Sequence, residues 1–350
     1  MKRWIAYLLI LFFASASFSG CVMEDEFSTS PKDNFDALWK ILDENYCFFD
    51  YKGVDWDEIY ETYSSQIDES MSQQEMFNVM VDMTYELKDG HVNLISDYRT
   101  SSYEGWHLDH PTNFNWSTIQ NYFSHAGGGR AGEYDEIRYN KIADKQIGYI
   151  YYGSFKESIM ERELNGIFEY FKDCRGLIID VRENGGGSLT NSDRLASRFI
   201  TEKTLCGYIQ HKTGRGRNNF STPYPIYLNP SSHADLWTKP VIVITNRRCF
   251  SAANNFVSKM REFPNVTTLG GITGGGSGFP FTSELPNGWQ IRFSTSPILD
   301  VNMNHTEFGV SPDLTITLDN KDVEKGLDTL IEEAVRLLLT DSNTTKPFSQ

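Results

Sequence analysis

Two short apolar runs, GLIIDV at residues 176–181 and KPVIVITN at 239–246, constrain the fold of this 350-residue chain more than any other feature. Each run has the length of a strand, and its apolar residues follow one another without alternation, which is typical of a strand buried on both faces of a sheet. A segment with helical character follows each run, at 188–200 and at 251–263. We therefore predict an α/β core whose strands are joined by helical crossovers.

Amphipathic helices precede this core. Apolar residues repeat at helical spacing over 35–46 and again over 56–67. A further helix begins with Ser72 and Glu75, which fit the S-x-x-E capping box, and it ends at Gly90, because glycine is the usual residue just past a helix C-terminus. The sequence thus predicts a small helical region ahead of the α/β core.

These patterns give the domain boundaries. We predict a helical domain over 35–91 and a core over 92–340, with irregular structure and short strands between Val92 and Lys145. The last residues, 341–350, are polar and are expected to be disordered.

The N-terminus has the plan of an export signal. Lys2 and Arg3 precede an apolar run, and small residues then lead to Cys21, so residues 1–20 are expected to be removed. The ending FSGC resembles a bacterial lipobox, which implies lipidation of Cys21 and a tether over 21–34. We expect a lipid-anchored protein of the cell envelope of a Gram-negative bacterium, held at the membrane only through this anchor.

Charge and cysteine usage exclude several classes of function. The formal net charge of −15 argues against a nucleic-acid surface, because binding to phosphates relies on clustered lysine and arginine. Four further cysteines are present: Cys47, Cys174, Cys206 and Cys249. They lack CxxC spacing, which argues against a redox or zinc role. Three disulfide connectivities, or none, remain open. His107 and His110 have no convincing third ligand, so no metal or other cofactor is expected.

Ser251 lies where the second apolar run gives way to a helix. Serine is a favoured N-cap residue, and that interpretation remains open from this position alone. The alternative is a nucleophile, because unpaired amides and the helix dipole at such a terminus favour an anion.

The glycines after the first apolar run, Gly185 to Gly187, allow the backbone to bring bare amides close to a ligand. An oxyanion hole is one use of such amides, and a plain strand-to-helix turn is the alternative. A nucleotide loop is disfavoured because neither G-x-G-x-x-G nor the P-loop pattern is present.

A base and an acid are needed to complete such a site. His91 follows directly after a capped helix end, which suits a general base near neutral pH. Glu307 precedes a Gly-x-x-Pro turn and is a candidate to orient an imidazole, with His305 as the reserve base.

Taken together, these segments resemble the S41 family of serine peptidases, the carboxy-terminal processing and tricorn-core proteases. The resemblance spans 35–340 and follows the family order of motifs: LKDGHVNL, IGYIYYGSF, GLIIDVRENGGGS, PVIVITNRRCFSAANNF, GGITGGGSG, LPNGWQIRFST and EFGVSPD. It implies a crotonase/ClpP-like ββα-spiral core with a small N-terminal helical domain.

The resemblance also chooses between two catalytic styles of that family. Gly276 stands where Ser–Lys members carry their lysine, and Lys259 is two helical turns from the serine, so the dyad is absent. The tricorn-like style implies Ser251 as nucleophile, with His91 as base and Glu307 as the acid behind it.

Further roles follow from the same resemblance. Ala252 and a glycine among Gly185 and Gly186 would supply the oxyanion amides, while Asp180 and Arg182 would shape the loop.

Departures from the family pattern concern the support of the site. Gly90 replaces a serine found before the histidine in tricorn relatives, and Asn254 replaces a frequent glutamate. The stretch 92–145 is too short for an inserted PDZ domain.

The expected function is a serine endopeptidase that cleaves peptides or unfolded proteins through an acyl-enzyme on Ser251. One alternative is a catalytically weak or inactive peptide-binding lipoprotein on the same scaffold. An esterase is disfavoured because Ser251 lacks the G-x-S-x-G pattern.

Overall fold

The computed structural model describes residues 28–124, 130–131, 137–232 and 236–340. The export signal expected at 1–20, the lipidation expected at Cys21 and the tail at 341–350 lie outside these residues. No helix in the described ranges combines the length and the apolar character that crossing a membrane requires.

The helices fall into an N-terminal group and a group distributed through the core. In chain order they are α1 Pro31–Asn45, α2 Phe49–Lys52, α3 Trp56–Ser64, α4 Gln73–Tyr85, α5 Gly105–Leu108, α6 Trp116–Ser124, α7 Glu161–Phe171, α8 Leu189–Ala196, α9 Ala252–Met260, α10 Asn320–Glu324 and α11 Thr329–Thr340.

The strands form two sheets. In chain order they are β1 Asn93–Ile95, β2 Arg130–Ala131, β3 Ile137–Ile142, β4 Ile147–Tyr152, β5 Gly176–Asp180, β6 Thr204–Ile209, β7 Tyr224–Leu228, β8 Val241–Thr245, β9 Val266–Gly270, β10 Gly278–Glu284, β11 Gln290–Leu299 and β12 Leu314–Thr315.

The larger sheet has the order β12-β9-β8-β5-β4-β3-β2, and its strands from β4 to β12 run parallel to one another. Both predicted apolar runs are central strands in which every residue is buried, β5 and β8. Helices cover both faces: side chains of α7 and α9 pack on one face, and those of α11 on the other. The predicted α/β core is confirmed.

The smaller sheet has the order β1-β11-β6-β7, with β10 also paired to β11. Its strand β11 shares a core with the N-terminal helices, in which Phe293 and Ile291 pack among residues such as Trp56 and Phe77. The Ser72–Glu75 capping box predicted for α4 is present, with both reciprocal bonds formed. The helical region therefore packs on the smaller sheet, next to the core.

A buried ion-pair cluster ties the closing helix to the central sheet. Arg182 is fully buried, and its guanidinium contacts Asp180 at 2.6 Å and Asp328 at 2.9 Å. Asp328 also accepts the amides of Leu330 and Ile331 at the start of α11. Asp180 and Arg182, which were expected to shape the glycine loop, thus also anchor the last helix through Asp328.

The four cysteines within the described residues are buried and unpaired. The open question of pairing is therefore answered in favour of free thiols. Cys249 donates its thiol to Val181 O at 2.9 Å, which packs the turn before Ser251 against the end of β5.

Candidate active site

Ser251 occupies the N-cap position of α9 but does not act as a cap. Its side chain makes no capping hydrogen bond, and its backbone has φ 56° and ψ −119°, a conformation that a residue with a side chain rarely adopts. The amide of Ser251 donates to Gly275 O at 2.8 Å, which holds this turn in place. Backbone strain of this kind is concentrated at functional sites. Because the hydroxyl makes no capping bond, it is free for another partner.

That partner is His91. The Nε2 atom of His91 lies 3.0 Å from Ser251 Oγ, although 160 residues separate the two in the chain. The imidazole is 3% exposed and packs against the ring of Phe250, with 4.8 Å between centroids. Burial lowers the pKa of His91 to about 4, so the ring is neutral at pH 7 and able to accept a proton.

His91 Nδ1, the other ring nitrogen, is buried and has no hydrogen-bond partner among the described residues. Glu307, predicted to orient the ring, instead accepts the amide of Ser277 at 2.8 Å and pairs with Lys52 Nζ at 2.9 Å. The structure thus places Glu307 in a buried cluster beside the Ser251–His91 pair, without a hydrogen bond between Glu307 and the imidazole.

Lys52 is the residue of this cluster that the sequence analysis missed. Its ammonium lies between two buried carboxylates, 3.2 Å from Asp89 Oδ2 and 2.9 Å from Glu307 Oε1. Burial alone would lower the pKa of Lys52, but Asp89 and Glu307 outweigh burial and raise it, so the amine stays charged. Lys52 ends the short helix α2, and no motif marks it, because its role depends on tertiary packing.

Asp89 links this cluster to His91. Its Oδ1 accepts the backbone amide of His91 at 2.7 Å, and its Oδ2 accepts the hydroxyl of Tyr46 at 2.7 Å. Burial raises the pKa of Glu307 to about 7, whereas Lys52 and other donors lower the pKa of Asp89 despite its burial. The charged partner of Lys52 at neutral pH is therefore above all Asp89.

The predicted oxyanion residues are only partly available in this geometry. The amide of Gly186 donates to Asn184 Oδ1 at 2.9 Å, and Gly186, at φ 98°, packs directly against Ser251 and Ala252. The amides of Ala252 and Gly187 have no acceptor among the described residues, and both residues line the cavity beside Ser251. Gly185 and Gly186 are not among the described residues that line it, so the free donors are those of Ala252 and Gly187.

The departures at Gly90 and Gly276 have a packing explanation. A Cβ at Gly90 would lie 2.9 Å from Trp106 Nε1 and 3.0 Å from Phe250 Cζ, so a serine there would require these rings to shift. Gly276 has φ 74°, and a side chain there would overlap the Phe250 ring. The stack of Phe250 on Trp106 therefore occupies the space that a serine or lysine would need.

Asn254 takes a structural role in place of the frequent glutamate. Its Oδ1 accepts the hydroxyl of Thr273 at 2.6 Å, and its amide donates to Thr306 O at 3.3 Å. These bonds fix the segment that carries Glu307.

The reserve base His305 and the rejected lysine Lys259 are both engaged elsewhere. Lys259 forms a buried ion pair with Asp193. His305 packs on the ring of Tyr51, with 4.2 Å between centroids. Only His91 among these candidates has a contact with Ser251.

A cavity of about 340 Å³ opens at the serine. Ser251 and Ala252 form part of its wall, and Phe279, Pro280 and Arg292 come from the smaller sheet. Phe279 is half exposed, so the cavity is open to an extended ligand. The cavity wall thus carries free amides and a hydroxyl that contacts a neutral imidazole, and these are components that acyl transfer requires.

The chain is similar in sequence and in fold to known peptidases. A model described as peptidase family S41 matches residues 146–316, and one described as the tricorn protease C1 domain matches 27–84. A crystal structure of a putative peptidase from Parabacteroides merdae has 51% identity and a TM-score of 0.84, covering 89% of this chain and 98% of that one.

More distant relatives extend the comparison. The carboxy-terminal processing protease CtpB of Bacillus subtilis is 26% identical over 179 residues, which is 50% of this chain and 35% of CtpB. The chain thus matches about a third of the length of that curated relative. Mature CPAF, at 12% identity and a TM-score of 0.67 over 89% of this chain and 98% of CPAF, shares the fold.

Proposed function

The chain belongs to the S41 family of peptidases, and we propose that it is a serine endopeptidase with Ser251 as nucleophile and His91 as general base. The observation that carries this proposal is the 3.0 Å contact between Ser251 Oγ and His91 Nε2, made from a strained backbone at the start of a helix. A neutral imidazole at hydrogen-bond distance from a hydroxyl is the arrangement that general-base activation needs.

The reaction follows the chemistry of these groups. Ser251 Oγ attacks the scissile carbonyl while His91 Nε2 takes the hydroxyl proton, and the amides of Ala252 and Gly187 hold the oxyanion. His91 then gives that proton to the leaving amine, an acyl-enzyme remains on Ser251, and water releases the acid by the same steps. Losing one oxyanion donor costs about 3 to 4 kcal/mol of barrier in such enzymes.

The charge behind the imidazole supports the same steps. When His91 takes a proton, a positive charge forms in a buried site, and burial opposes it. Asp89 is the carboxylate whose charge favours the protonated ring, while Lys52 moderates that effect. We infer that burial sets the basicity of His91 in the first place, and that Asp89, rather than a direct bond from Glu307, partly offsets the effect of burial.

A second function, peptide binding without turnover, has one observation in its favour. His91 Nδ1 lacks a hydrogen-bond partner among the described residues, so nothing there fixes the tautomer that a base requires. On this alternative the cavity would hold a peptide without cleaving it.

Cleavage of an unfolded protein separates the two functions. Wild-type protein, Ser251→Ala and the control Ser258→Ala, which removes a buried hydroxyl of the same helix, are incubated with reduced and alkylated casein, and products are identified by mass spectrometry. We expect cleavage by wild type and Ser258→Ala and none by Ser251→Ala. Equal product formation by Ser251→Ala would reject Ser251 as the nucleophile, and no product from any of them would favour the binding function.

We also propose that the protein is lipidated at Cys21 and held at the cell envelope, on the resemblance of FSGC to a lipobox. Growth of the expressing cells with an alkyne fatty acid, followed by fluorescent coupling, tests this. Labelling of the wild type that is absent in Cys21→Ser is expected, and equal labelling of both would reject the anchor.

A further inference from the structure

Arg292 places a positive charge in the cavity beside the nucleophile. It lies on β11, it is half-buried, and it lines the same cavity as Ser251. Its Nη1 atom contacts two neutral acceptors, His91 O at 3.5 Å and Asn93 Oδ1 at 3.3 Å. The guanidinium has five N–H donors in a planar fork, so these long contacts leave most of its donors unused.

No carboxylate of the described residues forms an ion pair with Arg292. Arg182 and Arg217 do have such partners, Asp180 and Asp43. Half-buried Arg247 has none within the described ranges, but it donates to three carbonyl oxygens at 2.6 to 2.7 Å instead. The acid that acts on Arg292 electrostatically is Asp89, but its oxygens are taken by Lys52, Tyr46 and the amide of His91. Arg292, in contrast, has only two long contacts with neutral acceptors in the part of the chain that the structure describes, so its guanidinium is available to an acceptor from outside.

The rest of the cavity is neutral. Among the described residues that line it, Arg292 is the one with a charged side chain, and its neighbours include Ser277, Phe279 and Ile298. This local positive charge contrasts with the formal net charge of −15 for the whole chain. The attraction of the cavity for an anion is thus a local property that the overall charge does not reveal.

We propose that Arg292 binds a carboxylate of the peptide substrate close to the scissile bond. An arginine fork accepts a carboxylate through two parallel hydrogen bonds, which makes it selective for this group over an amide of the same shape. The carboxylate belongs either to an Asp or Glu side chain or to the C-terminus of the peptide. This inference deepens the proposed function, because it names the substrate class of the same site.

Binding tests the inference without requiring turnover. Ser251→Ala protein is titrated against fluorescein-labelled heptapeptide mixtures whose central residue is fixed as Glu, Gln or Lys, each made with a C-terminal acid or amide, and anisotropy is recorded. We expect a carboxylate to tighten binding about tenfold or more over its amide counterpart, in the range of charged hydrogen bonds. Preference for central Glu identifies the side chain, and preference for the C-terminal acid identifies the chain end.

Matched variants assign the preference to Arg292. Added to Ser251→Ala, Arg292→Gln is expected to remove the difference between Glu and Gln or between acid and amide, whereas Arg292→Lys retains part of it. Arg215→Gln removes an exposed arginine outside the cavity with the same change of charge, and it should leave the preference intact. Unchanged melting temperatures show that the variants are folded.

The two proposals fail in different ways. A carboxylate preference in binding together with no cleavage by wild type would reject the endopeptidase and leave the carboxylate site standing. Cleavage without any carboxylate preference, or a preference that survives in Arg292→Gln, would overturn the inference drawn here.

Discussion

At the scale of single residues, burial decides the protonation of the base. His91 is enclosed by Phe250 and by the segment that carries Asp89, and desolvation of its charged form outweighs the attraction of that carboxylate. The imidazole is therefore neutral over the range in which free histidine is half protonated.

This burial predicts the pH dependence of turnover. A base must be unprotonated to act, so activity is lost only as the pH falls through the pKa of His91, which burial lowers to about 4. The acid limb of kcat/KM for a peptide substrate should have its midpoint well below 6.5. A limb at 6.5 or above that persists in Glu307→Gln, which removes the other group titrating near neutrality, would contradict this expectation.

The second prediction at this scale concerns Lys52. Replacing it with methionine leaves two buried carboxylates facing each other without a cation. Breaking a buried pair in this way typically costs about 3 to 5 kcal/mol of unfolding free energy. We also expect kcat to fall, because Lys52 pairs with Asp89, whose carboxylate accepts the backbone amide of His91.

Urea unfolding and steady-state kinetics measure the two effects of Lys52→Met. Lys32→Met, at a lysine whose side chain is 53% exposed, is the control and should change stability by less than about 0.5 kcal/mol. Wild-type stability in Lys52→Met would show that the cluster is not a structural element of the site.

At the scale of elements, the site is built where a strand, a turn and a helix meet. Strand β8 ends at Thr245, the turn carries Phe250, and Ser251 leads into α9 with its left-handed backbone. The position of Ser251 after a buried strand was readable from the sequence, because the apolar run and the helix that follows have different periods. The backbone strain at Ser251 could not be predicted from the sequence, because its φ depends on the hydrogen bond from its amide to Gly275 O.

Glycines in the adjoining loop allow this turn to pack. Gly276→Ala should lose about 1 to 3 kcal/mol more stability than Gly288→Ala, because both have positive φ but only the first meets the Phe250 ring. Activity should fall in Gly276→Ala, since Phe250 packs on His91. Thermal unfolding of the two variants measures this difference. Equal losses of stability would show that the Phe250 ring moves aside with little change in free energy.

At the scale of the whole molecule, residues far apart in the chain come together around the Ser251–His91 pair. His91 and Lys52 come from the N-terminal region, Ser251 from the α/β core, and Arg292 from the smaller sheet. Motif order was enough to nominate Ser251 and His91. Lys52 lies in none of the motifs, and Arg292 lies within LPNGWQIRFST but has no role that this motif assigns. A lysine at the end of a short helix and an arginine in a strand are ordinary surface residues until the fold buries them.

The closing helix depends on a distant ion pair, and this gives a prediction at the same scale. Asp328→Ala removes the partner of buried Arg182 and two amide contacts at the start of α11, so unfolding free energy should fall by about 3 to 5 kcal/mol. Glu333→Ala, which breaks an exposed pair with Arg336, should cost no more than about 1 kcal/mol. Urea titrations compare the two, and similar small losses would mean that the helix is held by apolar packing alone.

Covalent labelling tests the central claim most directly. Wild-type protein is treated with a fluorophosphonate at neutral pH and digested, and the modified peptide is sequenced by mass spectrometry. We predict one adduct on Ser251 in the wild type, and its loss in His91→Ala although Ser251 is still present. An adduct at another residue, or undiminished labelling of Ser251 without the imidazole, would contradict the assignment of His91 as its base.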